Sequence, residues 1–464
     1  MATRYALRPY QVEIGRRILD SIIHHRGLAF SVEIARQGGK NELSAQMEML
    51  LLTLFIQSGG NLVKAAPTFI PQCLISMMRL KERLNDAGFG GFWSSQAGYI
   101  IQVGQARQLF FSAENSANVV GATAHILLEI DEAQDVEKEK YYKEFRPMGA
   151  STNVTSVLYG TPWNAFSLLE EVKQTNLELE RKDGIRRHFS FDWQEVARYN
   201  PEYQRYVVAE RERLGEDHPL FRTQYMLLPL QGGGGFLSVQ QIARMGGFHS
   251  RQARPSLGKT YVAGVDIAGQ GEEGEGIFSL PGTGSRRGRD STVVTIAELD
   301  FSACEEFVRE PAVKVVEHYC WTGESHASLY AQLVDILKSV WRCRRVVVDS
   351  TGLGEGVASF LEKALGASVV APFKFTAQSK SDLAYELLAA VNSGRLKVYG
   401  SDGSFEYQEF WRQMELAKAH YRPNKTMNFY VDPSQGHDDF MMSLALVVKA
   451  SGYLPRVAVG RLRD

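Results

Sequence analysis

The sequence predicts a mixed α/β protein with at least two cored domains, joined through a helical segment and a glycine joint. Three observations carry that expectation. Apolar strand-like runs alternate with helical spacing up to about residue 163; residues 164–230 become rich in charge and aromatics; and QGGGGF at 231–236 is followed by a second series of strands. With 464 residues, 44% hydrophobic and 23% charged, the chain is long enough for two or three cores. The domain limits that follow are 1–163, a small helical subdomain at 164–230, a hinge at 231–236 and a last domain at 237–464.

Composition narrows the function. The formal charge is -1 and the pI about 6.8, so a polyanionic partner has to be met by local basic patches rather than by the field of the whole chain. Cys73, Cys304, Cys320 and Cys343 are scattered without a C-x-x-C pair, which argues against a disulfide framework or a zinc finger and predicts core thiols in a reducing compartment. MATRYALRPYQ has no apolar signal region, and MLLLTLF and LALVV fall far short of the roughly 20 residues a bilayer span requires. Neither secretion nor membrane insertion is expected.

From Arg8, the positions Val12, Ile14, Ile18, Leu19, Ile22 and Ile23 recur at helical spacing. The strand LAFSVEI, a glycine turn and a helix from about 41 to 57 follow. NLVKAAPTF, HILLEIDEA and VTSVLYGTP read as further buried strands between helices, the pattern of a parallel sheet. Beyond the glycine joint, KTYVAGVDIAG, DSTVVTIAELD and AVKVVEHYC are three strands; a helix near 327–341, the strand RRVVVDSTG and the helical GEGVASFLEKAL come next. Three strands and then β-α-β alternation is a ribonuclease H-like order. GQGEEGEGIFSLPGTGSRRGRD, between the first two of these strands, is too rich in glycine and charge for a core and reads as a loop or small hairpin.

SVEIARQGGKNELSAQ at 31–46 is a strand, a turn and a helix carrying Gln37, Gly38, Gly39, Lys40 and Asn41. A helix start gathers anionic phosphate through its unpaired N–H groups and its dipole, and the Lys40 ammonium can reach the outer oxygens. The stretch departs from G-x-x-x-x-G-K-[ST] at Ile34 and Asn41. Taken alone it equally describes a glycine turn before a solvated lysine. HILLEIDEAQD supplies the second half: an apolar strand ending in Asp131 and Glu132 can hold Mg²⁺ with one carboxylate and orient water with the other. Glu129 inside that strand is unexplained by this pattern. LRPYQ, with Gln11, looks like the adenine-reading segment of helicase-like ATPases; APTFIPQ resembles their strand end after the loop, and Thr161 in YGTP stands where a coupling motif senses the γ-phosphate.

The second half carries acids of another kind. Asp266 lies inside an apolar strand, where a carboxylate costs several kcal/mol unless paired or bound to a cation. Asp349 ends a second apolar strand, and GHDDFMMSLALVV opens a helix with Asp438 and Asp439. Three acids in this order suit a two-metal site for phosphodiester hydrolysis. Helix capping by Asp438 or Asp439 and an Asx-turn at Asp349 account for any one of them singly. His437 is either a ligand, a neighbour of the ligands or a surface residue.

An ATPase half with these motifs followed by a ribonuclease H-like nuclease resembles the large terminase subunit of tailed bacteriophages, from RPYQ to HDDFMMSLAL. In that family the loop commonly lacks its first glycine and carries an arginine, so ARQGGKN looks like a terminase variant of the P-loop. The resemblance implies a RecA/helicase-like P-loop ATPase with a small helical lid, and a C-terminal ribonuclease H-like nuclease. It implies ATP with Mg²⁺, and Mg²⁺ or Mn²⁺ at the nuclease. Arg36 and Lys40 would hold phosphates, Asp131 the metal and Glu132 the water; Asp266, Asp349, Asp438 and Asp439 would be catalytic metal ligands, with the direct ligand of the last pair left open.

The implied partners are double-stranded DNA, a portal protein and procapsid, and a small terminase subunit. The implied setting is a ring docked on the portal in the host cytoplasm, with no membrane and with the solution stoichiometry open. Many relatives place an arginine shortly before the acid strand, whereas NVVGATAHILLEIDE has none, so Arg146 or Arg36 is the remaining candidate. SRRGR at 285–289, RCRR at 342–345, Lys380 and the tail RVAVGRLRD are candidate phosphate or docking contacts. A repair or recombination nuclease with an ATPase domain shares this chemistry. A superfamily 2 helicase would instead carry a second RecA-like domain.

Overall fold

The computed structural model describes residues 6–117, 119, 121–230, 234–268, 291–304, 310–324, 326–352, 354–422 and 424–452. SRRGR, the tail RVAVGRLRD and the glycine-rich loop around 269–290 lie outside them. The chain divides into two compact units: Met1–Val208 with Pro219–Gln231, and Ala209–His218 with Gly232–Asp464.

The first unit is built on an eight-stranded sheet of order β3-β4-β5-β2-β6-β7-β1-β8. Its strands are β1 (Ala29–Ile34), β2 (Gly60–Ala66), β3 (Trp93–Gln96), β4 (Ile100–Val103), β5 (Ala106–Ser112), β6 (Leu127–Ile130), β7 (Thr155–Gly160) and β8 (His188–Phe191). The predicted strands β1, β2, β6 and β7 pair in parallel and are buried on both faces, which is why their sequences read as unbroken apolar runs. The helix Pro9–Ile23 buries Tyr10, Ile14, Ile18 and Ile22, the period read from the sequence. Two features were not legible. β3 and β4, four residues each, pair antiparallel at the sheet edge beside β5, and β8 interrupts the segment read as wholly helical, pairing with β1. Four residues, HFSF, flanked by charge do not complete enough alternation to signal a strand.

The second unit has a six-stranded sheet of order β14-β13-β10-β11-β12-β15 and a three-stranded sheet, β17-β16-β9. The strands are β9 (Gly234–Gly235), β10 (Thr260–Asp266), β11 (Ser291–Asp300), β12 (Ala312–Thr322), β13 (Arg345–Asp349), β14 (Val370–Phe373), β15 (Leu396–Val398), β16 (Lys418–Tyr421) and β17 (Met427–Tyr430). β10 runs antiparallel to β11 and parallel to β13, so the predicted ribonuclease H-like order is present. Of the glycine joint, 231–233 lie outside the described residues; Gly234 and Gly235 pair with β16, and the buried Phe236 ring lies 5.0 Å from Phe429. The helix Asp439–Gly452 packs on β10, β11 and β13. Its closest approach is at Gly264, where an added Cβ would stand 2.2 Å from the Ser443 carbonyl oxygen.

All four cysteines are free thiols; Cys73 and Cys343 are buried but Cys304 is exposed, so it is not the core residue expected. Among the described residues no helix is long and apolar enough to cross a membrane.

Candidate nucleotide and metal sites

β1 ends at Ile34, and the turn Ala35–Gly39 leads into the helix Lys40–Leu54. Gly39 sits at φ 98°, a left-handed conformation that favours glycine. The turn is braced from the first helix. Tyr10 donates its hydroxyl to the Gly38 carbonyl at 2.6 Å, Arg8 donates to the same oxygen at 3.2 Å, and Gln11 Nε2 donates to the Gly39 carbonyl at 2.8 Å. Gln11 Oε1 accepts from the Arg8 N–H at 2.8 Å. Gln11, read as a base-recognising side chain, is therefore 3% exposed with both ends of its amide engaged within the chain, its oxygen satisfying the Arg8 backbone N–H at the helix start. Arg36, in the same turn, is exposed and its guanidinium donates to Gln224 Oε1 at 2.6 Å.

One strand, β7, separates β1 from β6, which puts the ends of β1 and β6 roughly 10 Å apart by ordinary strand spacing. Lys40 spans that gap: its Nζ donates to Glu132 Oε1 at 3.1 Å. Gln134 Nε2 donates to Glu132 Oε2 at 2.6 Å, and Gln134 Oε1 accepts from the Thr161 N–H at 3.2 Å, tying the end of β7 to the same carboxylate. Asp131, 5% exposed, accepts from the Glu132 N–H, and Glu132 takes a left-handed φ of 46°. Asn41 is half-buried in the first helical turn and Gln37 is exposed with φ 62°. Arg146 is exposed, its guanidinium 5.5 Å from the Tyr142 ring centroid.

Glu129, unexplained in the sequence, faces the loop helix. Its Oε1 accepts from Ser44 Oγ at 2.8 Å, Ser44 accepts from the buried Lys64 Nζ at 2.7 Å, and Lys64 lies 3.3 Å from Glu48. Burial pushes the Asp131 carboxyl up while the Lys64 ammonium opposes the shift. For Lys64 burial alone would favour the neutral amine, but Glu48, Glu129 and Asp131 outweigh it and hold the proton. The signal was present in the sequence as a lysine and a glutamate inside apolar strands, but pairing them needs the fold.

In the second unit, the register Val265↔Val348 places Asp266 and Asp349 at the same end of adjacent strands. Asp439 begins the helix packed across them. Asp266, Asp349 and Asp439 are each 8% exposed, whereas Asp438 is more open and lies 4.0 Å from Lys380 Nζ. Burial, and then the charges of Asp439, Asp349 and Asp438, push the Asp266 carboxyl well above the usual carboxylate range; Lys380 opposes them. Asp439 Oδ2 accepts from the Ser291 N–H at 3.0 Å, and Asp349 Oδ1 from the Thr351 N–H at 2.8 Å.

The acids thus share one sheet end, but among the described residues no three His, Cys, Asp or Glu side chains are gathered into a group that could hold a metal ion. His437 is half-buried and acts electrostatically on Glu409. RCRR sits elsewhere: Arg345 opens β13 and Asp349 closes it, so the basic run lies at the opposite strand end, with Arg345 donating to the Ser368 carbonyl. Among the described residues, the candidate Lys380 reaches the acids, 4.0 Å from Asp438.

Residues 282–450 match the family model described as the terminase RNaseH-like domain. The span includes Asp349, Asp438 and Asp439; Asp266 precedes it, on the strand between β11 and β13. No curated protein sequence matches the chain. Among solved structures, the large terminase of a thermophilic bacteriophage is similar over 96% of this chain and 98% of its own, at 10% identity and a TM-score of 0.51. The ADP complex of that same phage terminase aligns over 97% and 99%, at 10% identity and 0.50. The HK97 bacteriophage large terminase aligns over 97% and 98%, at 12% identity and 0.40. Residues 282–450 accordingly match the terminase RNaseH-like domain, and the chain that carries them is similar in fold to the large terminases.

Proposed function

We propose that this chain is the ATPase and nuclease of a phage DNA-packaging motor, hydrolysing ATP in the first unit to drive double-stranded DNA into a procapsid and cutting concatemeric DNA in the second. The observation that carries the reading is the presence, in one chain with the large-terminase fold, of a braced loop lysine paired with Glu132 and of a ribonuclease H-like sheet end crowded with carboxylates. A superfamily 2 helicase is disfavoured, because the second unit holds that sheet rather than a second RecA-like domain.

In the first unit, Gly39, Lys40 and Asn41 present helix-start N–H groups to phosphate, and Lys40 neutralises the outer oxygens. When the Lys40 ammonium turns to phosphate, it leaves Glu132 Oε1 available to orient the attacking water, while Gln134 keeps Oε2 and the end of β7 in register. Asp131 would hold Mg²⁺.

In the second unit the donor set is all carboxylate, which fits a hard cation such as Mg²⁺ or Mn²⁺, and the repulsion on Asp266 is what such a cation relieves. Asp266, Asp349 and the Asp438–Asp439 pair would be the ligands, with Asp438 also 4.0 Å from Lys380 Nζ. Bound there, divalent cations activate water and stabilise the leaving oxygen of the cut strand. Lys380 offers its ammonium to a DNA phosphate. The portal, the small terminase subunit and a ring on the procapsid in the host cytoplasm belong to the same reading.

The test is ATP hydrolysis by the purified chain with linear double-stranded DNA and cognate empty procapsids. A packaging motor is stimulated by procapsid and DNA together. Hydrolysis indifferent to procapsids sinks the packaging role and leaves a nuclease with an accessory ATPase.

A further inference from the structure

The helix that carries Asp438 and Asp439 has its first N–H groups met by a side chain of a neighbouring helix. Its first intrahelical bond runs from the Met442 N–H to the Asp438 carbonyl at 2.8 Å, so Asp438 occupies the N-cap position. An N-cap aspartate ordinarily turns its carboxylate back to accept from the N–H groups two and three residues on. Here those donors, Phe440 and Met441, are taken at 2.9 and 3.3 Å by Gln413 Oε1, reaching in from the helix Phe405–Leu416.

Gln413 is 2% exposed, and its other end is fixed as well. Its Nε2 donates to Glu409 Oε1 at 3.1 Å, and Glu409 is clamped by Arg412 through bonds of 2.7 and 2.6 Å. Arg412 also donates to the Gln435 carbonyl at 2.7 Å, on the segment that leads into the acid pair. The clamp therefore grips the chain on both sides of Asp438 and Asp439.

Resting on the nuclease reading above, we propose that Gln413 is a positioning residue of the acid site: by capping the helix from its neighbour, it keeps the Asp438 carboxylate from being drawn into capping and leaves it directed to the cation and Lys380. Without the Gln413 amide oxygen, an N-cap aspartate is the usual acceptor for N–H groups at these two positions.

The experiment measures DNA cleavage by the full chain against manganese(II) concentration, together with the rise in thermal midpoint that manganese alone produces without DNA, and with ATP hydrolysis and the metal-free thermal midpoint as folding controls. Gln413→Leu keeps the volume and removes the acceptor. The half-saturating manganese concentration is expected to rise about tenfold, the usual effect of losing a residue that orients a metal ligand. Exchanging the pair, Glu409→Gln with Gln413→Glu, restores an acceptor at 413 and a donor at 409 and is expected to return the manganese requirement toward that of the unsubstituted chain. Because Gln413 acts through Asp438, Asp438→Ala is expected to have less than its usual effect in the Gln413→Leu background. A folded Gln413→Leu chain with an unchanged manganese requirement overturns the inference, as does a lost thermal midpoint that the exchanged pair repairs without changing the manganese requirement. If the unsubstituted chain cuts no DNA at any manganese concentration, the nuclease reading itself falls and takes this inference with it.

Discussion

Lys40 Nζ and Glu132 Oε1 are 3.1 Å apart, so the loop lysine and the acid following β6 form a pair across the intervening strand. The side chain that is to hold phosphate thus restrains the one that is to orient water. Glu132→Gln keeps a polar partner for Gln134 while removing the base. ATP turnover is expected to fall on the order of 10²–10⁴-fold, with nucleotide binding retained, measured by phosphate release beside a binding titration. Unchanged turnover would remove Glu132 from the chemistry.

Lys64 is 2% exposed and surrounded by Glu48, Glu129 and Asp131, with Ser44 between it and Glu129. Replacing a buried cation while its acids remain leaves uncompensated charge under the loop helix, which costs about 3–5 kcal/mol. Lys64→Met is therefore expected to lower the stability of the chain by that order in urea denaturation. Lys64→Met combined with Glu129→Gln is expected to lose less. Equal losses would mean that the two side chains do not act on each other.

Glu33, 1% exposed on β1, lies 3.4 Å from Lys173 Nζ and 3.8 Å from His188 Nε2, with Glu170 also bonded to Lys173. Burial pushes its carboxyl up to about 7, against the Lys173 ammonium. Burial also lowers His188 to about 4, so the ring is neutral over the same range. A raised folded-state value means that the folded chain holds a proton the unfolded chain has released. The contribution of Glu33 to stability is present below about pH 4.5 and is lost as pH rises to about 7, a change of up to about 3 kcal/mol. Glu33→Gln should therefore gain stability over the unsubstituted chain as pH climbs from 5 to 8, read as a widening difference in thermal midpoint. A constant difference across that range would contradict the assignment.

Much of the site was legible because its residues break a local rule: Asp266 and Asp349 are charges in apolar strands, and Lys40 follows two glycines at a helix start. Each violation needs compensation, which pointed to a ligand before any coordinates. What was not legible depends on neighbours distant in sequence. Gln11 is drawn inward by a carbonyl in the loop, Arg36 is held by Gln224, and Gln413 caps a helix that begins more than twenty residues later. Amides of this kind break no rule in their own segment. The strands β8, β3 and β4 escaped for a related reason, being four residues each and stabilised by pairing rather than by their own periodicity.

The carboxylates at the ends of β10 and β13 and at the start of the final described helix are where the account is most exposed. Asp266→Asn removes the carboxyl that burial and three neighbouring acids penalise. In metal-free buffer it is expected to raise the thermal midpoint by a few degrees, at roughly 2–4 °C per kcal/mol for a domain of this size. The decisive measurement is DNA cleavage by the unsubstituted and Asp266→Asn chains in manganese, with ATP hydrolysis followed in the same samples. The account predicts metal-dependent cutting that vanishes in Asp266→Asn while ATP hydrolysis persists; cutting that survives the substitution would contradict it.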